Sequence, residues 1–254
     1  MPGQEPHSIF FYLLLLMMAA GVLQCLGMSF LFFIKKSGDK RANLFYGTLL
    51  VTIALTLLDS ILVISHFYKF YPAWKFLPIY YTLAFPTLLF YYVKISLYPA
   101  YRFRGSDIKH FILPVGQLLF FVVMFFMPVA YKSGMDRQPL NPFFGAAEQF
   151  LKLTTFFAYL YFAARYIKHR RKTATQPKEI RQVLYLRMLV QILFVLFCIH
   201  TVFVVTDFVS YHLFNIDMLA DKLFAGLSAL SFAALAFWLG TYGFQVWVWA
   251  KRVE

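Results

Sequence analysis

The sequence predicts an all-α, polytopic membrane protein in which residues 1–254 form a single domain, a bundle of seven transmembrane helices. Two observations support this fold class. Of the residues, 61% are hydrophobic, against about 45–50% in soluble domains, and contact with lipid explains the excess. The basic residues also gather in short segments between long apolar runs, which is typical of loops held on the cytoplasmic side of a membrane.

Seven apolar runs are long enough to cross a bilayer, since a transmembrane helix needs about 20 such residues. The predicted spans cover approximately residues 9–34, 44–66, 76–98, 111–131, 149–167, 183–212 and 220–249. The first run is too long for the core of a signal peptide, so we interpret it as a retained helix.

The connecting segments separate the spans in order. The second span leads into 67–78, an aromatic and proline-rich loop typical of the membrane interface. The third and fourth spans flank a basic turn between Pro99 and Pro114. The fifth and sixth flank the polar segment 168–182, and the seventh follows a short turn at 215–217.

The charge distribution predicts the orientation of the bundle. Most of the 24 Lys and Arg residues fall in four segments: 35–41, 94–109, 165–187 and 251–252. If these segments are cytoplasmic, the N-terminus is outside and the C-terminus is cytoplasmic. The net charge of +13 then reflects topology, and we expect no nucleic acid as a partner.

The sequence shows no catalytic motif. It has no Ser-His-Asp order, no paired glutamates and no phosphate-binding loop, so an enzyme is not favoured. Cys25 and Cys198 lie inside apolar runs without metal-ligand spacing, and we expect two buried thiols and no disulfide. No cofactor and no metal site are predicted.

Four ionisable residues inside the predicted spans are candidates for a ligand-binding or proton-binding site, because such residues are costly in a membrane. Asp59 and His66 lie on the second span, and His200 and Asp207 on the sixth, each pair seven residues apart and so on one helix face. Counted from the inner ends, Asp59 matches His200 in depth and His66 matches Asp207. The four residues then form one pocket if the two helices touch; alternatively each is satisfied locally.

The segment 168–182 is the most polar part of the sequence. Its basic residues are Lys168, Arg170, Arg171, Lys172, Lys178 and Arg181. They are expected to fix topology and contact anionic lipid headgroups. Docking of a protein partner is the alternative.

Four stretches resemble the membrane-embedded N-terminal domain of AraC-type transcriptional regulators. They are GVLQCLGMSFLFFIKK, ANLFYGTLLVTIAL (residues 42–55), FPTLLFYYVKISLYPAYRFRGSDIKHFILP (residues 85–114) and GTYGFQ (residues 240–245). The third carries the clearest similarity, in Pro86, Tyr91, Tyr92, Val93, Lys94, Asp107, His110, Phe111 and Pro114. Phe85 departs from the pattern, since the family often has Gly there.

The resemblance implies a multi-pass protein of the bacterial inner membrane. In the family, a helix-turn-helix domain follows the helices on the cytoplasmic side. No helix-turn-helix pattern occurs in this sequence, so DNA binding does not carry over. We therefore expect a non-enzymatic sensor or signalling domain without its own DNA-binding output.

Two other function classes remain open. One is a membrane-embedded subunit or scaffold of a bacterial envelope complex. The other is a lipid-modifying enzyme or small-solute transporter that uses the four Asp and His residues. The expected partners are membrane lipids and a cytoplasmic or membrane protein; the sequence does not predict an oligomeric state.

Overall fold

A computed structural model describes residues 9–35, 38–135 and 143–251. This part of the chain is 84% helical and contains no strand, which confirms the predicted all-α class. The two chain ends, 1–8 and 252–254, whose sides of the membrane the sequence predicts, lie outside the described residues.

Seven principal helices occur in the described residues, one for each predicted apolar run. They are α1 (Ile9–Ile34), α2 (Lys40–Ile64), α3 (Ala84–Leu97), α4 (Ile112–Phe125), α5 (Ala146–Thr173), α6 (Pro177–Phe214) and α7 (Lys222–Lys251). Short helical segments lie between them, at Phe67–Phe70, Pro72–Trp74, Gly105–Phe111, Val129–Ser133 and Met218–Ala220.

Five of the described helices are long and apolar enough to cross a membrane, which indicates a multi-pass membrane protein. They are α1, α2, α6, α7, and α4 together with the helical turn before it, Gly105–Phe125. The other two differ from expectation for different reasons. Helix α3 has 14 residues, or about 21 Å, which is shorter than a hydrocarbon core of about 30 Å. Helix α5 is long enough but carries charged residues along its length.

The predicted third span begins late because its first residues are not helical. The segment 77–83 is irregular, and side chains of other helices accept two of its backbone N–H groups. Tyr81 N donates to Thr56 Oγ1 (3.0 Å), and Leu83 N donates to Gln117 Oε1 (3.0 Å). Irregular backbone at membrane depth is tolerated when protein surrounds it in this way.

Helix α3 occupies the centre of the bundle. All of its residues except Lys94 are buried, and it packs against α2, α5 and α6. Pro86 is the third residue of the helix, a position where proline removes no hydrogen bond from the helix interior. A helix enclosed by protein has no lipid-facing side.

Small residues and backbone acceptors bring α1, α2 and α7 together. The Phe33 ring lies over Gly47, where a Cβ would come within 2.7 Å of it. Ser29 donates a hydrogen bond to Gly47 O (2.8 Å), and Tyr46 donates to Leu239 O (2.6 Å). Close approach at small residues, with buried hydrogen bonds to backbone carbonyls, is the usual way membrane helices associate.

The turns α1–α2, α3–α4 and α5–α6 lie at one end of the bundle, which we call the basic end. Arg41 donates to Pro99 O (2.5 Å) and Tyr101 O (2.6 Å), which joins the first two of these turns. Gln182 donates to Ser96 O (2.8 Å), which joins the third.

Asp107 organises the turn between α3 and α4. Its carboxylate accepts hydrogen bonds from Tyr91 (2.9 Å), Tyr101 (2.5 Å) and the Arg104 backbone (2.8 Å), and Lys94 Nζ lies 3.8 Å away. The Lys94 ammonium also lies 3.8 Å from the centre of the Tyr101 ring, a cation–π distance. The turn with the clearest family resemblance is therefore tightly fixed.

Candidate functional site

The structure separates the four residues of the predicted pocket. Helix α2 packs against α1, α3 and α7, whereas α6 packs against α5, α7 and, less extensively, α3. Asp59 accepts a hydrogen bond from Tyr68 (2.6 Å), and His200 Nδ1 lies 2.9 Å from Ser231 Oγ on α7. The predicted pairing of Asp59 with His200 is therefore corrected, because each side chain is hydrogen-bonded to a different partner.

The remaining two members of the predicted pocket also lie apart. His66 is exposed and adopts a left-handed conformation (φ 56°) in the turn after α2, which histidine tolerates better than most residues. Asp207 is half-buried on α6. Among the residues that the structure describes, no three His, Cys, Asp or Glu side chains form a group suited to a metal ion.

The hydrogen bonds of Ser231 define the tautomer of His200. Ser231 donates its single hydroxyl proton to Ser228 O (2.6 Å). Its oxygen must then accept from His200 Nδ1, so Nδ1 carries a proton. In the neutral imidazole, Nε2 is left as an acceptor. This histidine is 9% exposed.

A buried polar network lies at the end of the bundle opposite the basic end. Glu148, in the first turn of α5, is 2% exposed. Its Oε1 accepts hydrogen bonds from Thr82 (2.5 Å) and, at 3.4 Å, from Tyr80. Thr82 Oγ1 accepts from Gln117 Nε2 (3.0 Å), whose Oε1 accepts from Leu83 N. We call Tyr80, Thr82, Gln117 and Glu148 the Glu148 network.

Lys152 lies four residues after Glu148 on α5, on the same helix face, and is 8% exposed. Lys152 and His200 each lie 13 residues from an arginine nearer the basic end, Arg165 and Arg187. Both are therefore about 20 Å from these arginines along their helices.

The arrangement buries an acidic and a basic side chain four residues apart on α5. A buried carboxylate and a buried ammonium are tolerated when each compensates the other, and removing one leaves the other uncompensated. A change in charge at either group, by a proton or a ligand, is therefore expected to alter the packing of α5 against α3 and α6.

In the sequence, the spacing of Glu148 and Lys152 is typical of a pair on one helix face, and neither Thr82 nor Gln117 is among the predicted site residues. The available signal was a lone glutamine in the otherwise apolar run 111–131. Its burial, at 0% exposure, marks it as a partner for other polar groups.

The predicted contact residues at the basic end divide into two groups. Five are exposed: Lys168, Arg171, Lys172, Lys178 and Arg181. Arg170 is half-buried, forms a salt bridge with Glu179 (2.8 Å), and lies 5.8 Å from the centre of the Tyr98 ring. Arg170 therefore stabilises the α5–α6 turn and is not free to contact a partner or lipid as the other five are.

Comparisons with protein-family models, with curated proteins and with solved structures found no match for this chain. The fold and the site define a multi-pass helical membrane protein with a buried polar network.

Proposed function

We propose that this chain is a non-enzymatic sensor or signalling protein with seven membrane spans. In this proposal the N-terminus is outside and the basic end is cytoplasmic, so the Glu148 network lies in the outer half of the bundle. The location is the bacterial inner membrane, as for the AraC-type regulators whose membrane domain the sequence resembles. The gathering of basic residues at one end supports this orientation.

One observation carries the proposal: α5 contains both the buried charges and the exposed basic residues. Glu148 and Lys152 lie in its first two turns, and Lys168, Arg171 and Lys172 lie in its last two. A helix of 28 residues is about 42 Å long. A displacement at one end of such a rigid element reaches the other end, which links an outer input to a cytoplasmic output.

Three of the residues on which the resemblance rests lie together in the basic turn. Tyr91, Lys94 and Asp107, three of the residues that carry the resemblance, contact one another there. The cluster gives these residues a shared structural role.

The experiment measures motion at the α5–α6 turn. A spin label is attached at Thr175→Cys, which is exposed, in a Cys198→Ala background; Cys25 is 0% exposed and is kept. Glu148→Gln, which removes the charge opposite Lys152, is expected to change the mobility of the label. Lys69→Gln, which removes an exposed charge outside the network, is the matched control. Identical spectra for wild type and Glu148→Gln, both folded, would refute the sensor proposal.

A scaffold in an envelope complex is the second candidate, and the exposed cations of the α5–α6 turn favour it. An enzyme or transporter built on Asp59, His66, His200 and Asp207 receives no support from the geometry, because these residues do not share a site.

A further inference from the structure

The exposed cations of the α5–α6 turn form a surface with no acid left to neutralise it. Between Arg165 and Arg187 the only acidic residue is Glu179, and it forms a salt bridge with the half-buried Arg170. Arg171 and Lys172 lie three and four residues after Lys168 on α5, and Arg181 lies three residues after Lys178 on α6. Each set therefore shares a helix face.

The length of α6 sets the depth of this surface. No Lys, Arg, Asp or Glu occurs between Arg187 and Asp207. These two residues are about 30 Å apart along the helix, which matches the thickness of the hydrocarbon core. In the proposed topology, Arg187 therefore marks the cytoplasmic edge of the hydrocarbon.

Four of the cations lie beyond the lipid headgroups. Arg181 and Lys178 are about 9 and 14 Å past Arg187 along α6. The headgroup layer is only about 5–8 Å thick on each side. On α5, Arg165 is the first basic residue of the corresponding segment, and we place it at the same edge. Arg171 and Lys172 are then about 9 and 11 Å past this edge, whereas Lys168 is only about 5 Å past it.

The turn that carries these cations is rigid. Only residues 174–176 separate the two helices. Arg170 and Glu179, five and four residues from Thr175, form their salt bridge across the turn at 2.8 Å, and this fixes the relative register of α5 and α6. The backbone that carries the charges therefore needs little ordering when a partner binds.

We propose that Arg171, Lys172, Lys178 and Arg181 form a docking surface for an acidic segment of a cytoplasmic protein. Their positions past the headgroup layer favour a protein over the membrane surface. The inference rests on the topology of the proposed function and names the partner class through which the protein would signal.

The test uses the full-length protein in phosphatidylcholine nanodiscs and a fluorescent peptide of ten glutamates as the probe. Binding is measured by fluorescence anisotropy at low salt. The variant R171Q/K172Q/K178Q/R181Q is expected to weaken binding at least about tenfold, because four ion pairs are lost. Lys168→Gln, at headgroup depth, is the matched control and should change affinity by less than about twofold. R171K/R181K, which keeps the charge, should bind like wild type.

A second arm separates the protein partner from the membrane. In nanodiscs containing phosphatidylglycerol, the difference in affinity between wild type and the fourfold variant should persist. Its disappearance would show that headgroups occupy these cations and would overturn the proposal. Equal binding by wild type and the fourfold variant in phosphatidylcholine would overturn it as well.

The outcome is independent of the spin-label experiment. Suppose that peptide binding depends on the four cations but Glu148→Gln leaves the mobility of the spin label unchanged. The sensor proposal would then be refuted and the docking surface would stand. The reverse pattern would refute the docking surface alone.

Discussion

Thr82 donates its hydroxyl proton to Glu148 Oε1 across 2.5 Å, and this contact joins the irregular segment before α3 to the first turn of α5. Gln117 on α4 completes the connection by donating to Thr82. Three parts of the chain therefore depend on one carboxylate. The predictions below test this network, the basic end and the orientation.

Glu148→Gln is expected to destabilise the protein by about 3–5 kcal/mol, because it leaves the buried Lys152 ammonium without a compensating charge. The double variant E148Q/K152M removes both charges and should recover much of this loss. The measurement is unfolding of the purified protein in detergent. If the double variant is less stable than the single one, the two residues do not compensate each other.

Gln117→Leu should cost about 1–3 kcal/mol of stability, since Thr82 and the Leu83 N–H each lose a partner in a buried environment. Gln24→Leu is the matched control. Gln24 also donates to a threonine, Thr241 (3.2 Å), but that hydrogen bond is exposed. We expect a much smaller loss there in the same assay. Equal losses of stability for the two variants would mean that the buried hydrogen bonds of the network contribute no more to stability than an exposed one.

Asp107→Asn is expected to open the turn between α3 and α4. The change removes the charge next to Lys94 and weakens hydrogen bonds from two tyrosines. Hydrogen bonds to charged groups contribute about 1.5–3 kcal/mol each, so trypsin should cleave after Arg102 or Arg104 at least about ten times faster. Asp39→Asn, at a different turn of the basic end, serves as the control. An unchanged cleavage rate would contradict the role given to Asp107.

Asp39 predicts a dependence of stability on acidity. Partial burial raises the pKa of its carboxyl, but hydrogen bonds from the Arg41 side chain and backbone outweigh this effect and lower the pKa below its ordinary value of 3.8. The charged form is thus favoured in the folded state. Its contribution to stability is complete above the ordinary value and disappears as the pH falls through the lowered pKa.

The measurement compares unfolding of wild type and Asp39→Asn from pH 6 to pH 3. Asparagine also caps helices well, so the two proteins should differ in their pH dependence more than in their stability at low pH. Wild type should lose its advantage as the pH drops below about 4. If the stability of both proteins changes with pH in the same way, Asp39 does not cause the pH dependence.

The proposed orientation predicts the activity of inserted reporters. A reporter that works only in the cytoplasm should be active at Thr175, in the turn after α5, and inactive at Gly134, in the connection between α4 and α5. The opposite pattern would invert the topology.

The sequence predicted where the helices lie along the chain better than it predicted what they contact. The bounds of α1 agree with the predicted span 9–34, because hydropathy along one segment suffices to locate it. The third span was predicted to begin at residue 76, eight residues before α3 begins at Ala84. The reason is that the backbone N–H groups of Tyr81 and Leu83 are accepted by the side chains of Thr56 and Gln117, which lie elsewhere in the chain. Such partners leave no local pattern.

For the candidate site, too, the sequence predicted positions along a helix but not contacts between helices. Counting residues gives a depth along each helix but does not tell which helices touch. The predicted pairing of Asp59 with His200 was wrong for this reason, since their partners are Tyr68 and Ser231. The spacing of Glu148 and Lys152 was visible as a helix pair. Their burial depends on the packing of α5 against α3 and α6, and no feature of α5 alone reports it.

The enclosed position of α3 has a consequence for the biogenesis of the protein. A helix of 14 residues, preceded by irregular backbone, is a poor substrate for insertion into lipid by its own hydrophobicity. The side chains that satisfy its entry segment belong partly to α4, which is synthesised later. A nascent chain that stops after α3 would therefore hold an incompletely satisfied segment, and α3 would reach its final place only as the later helices arrive.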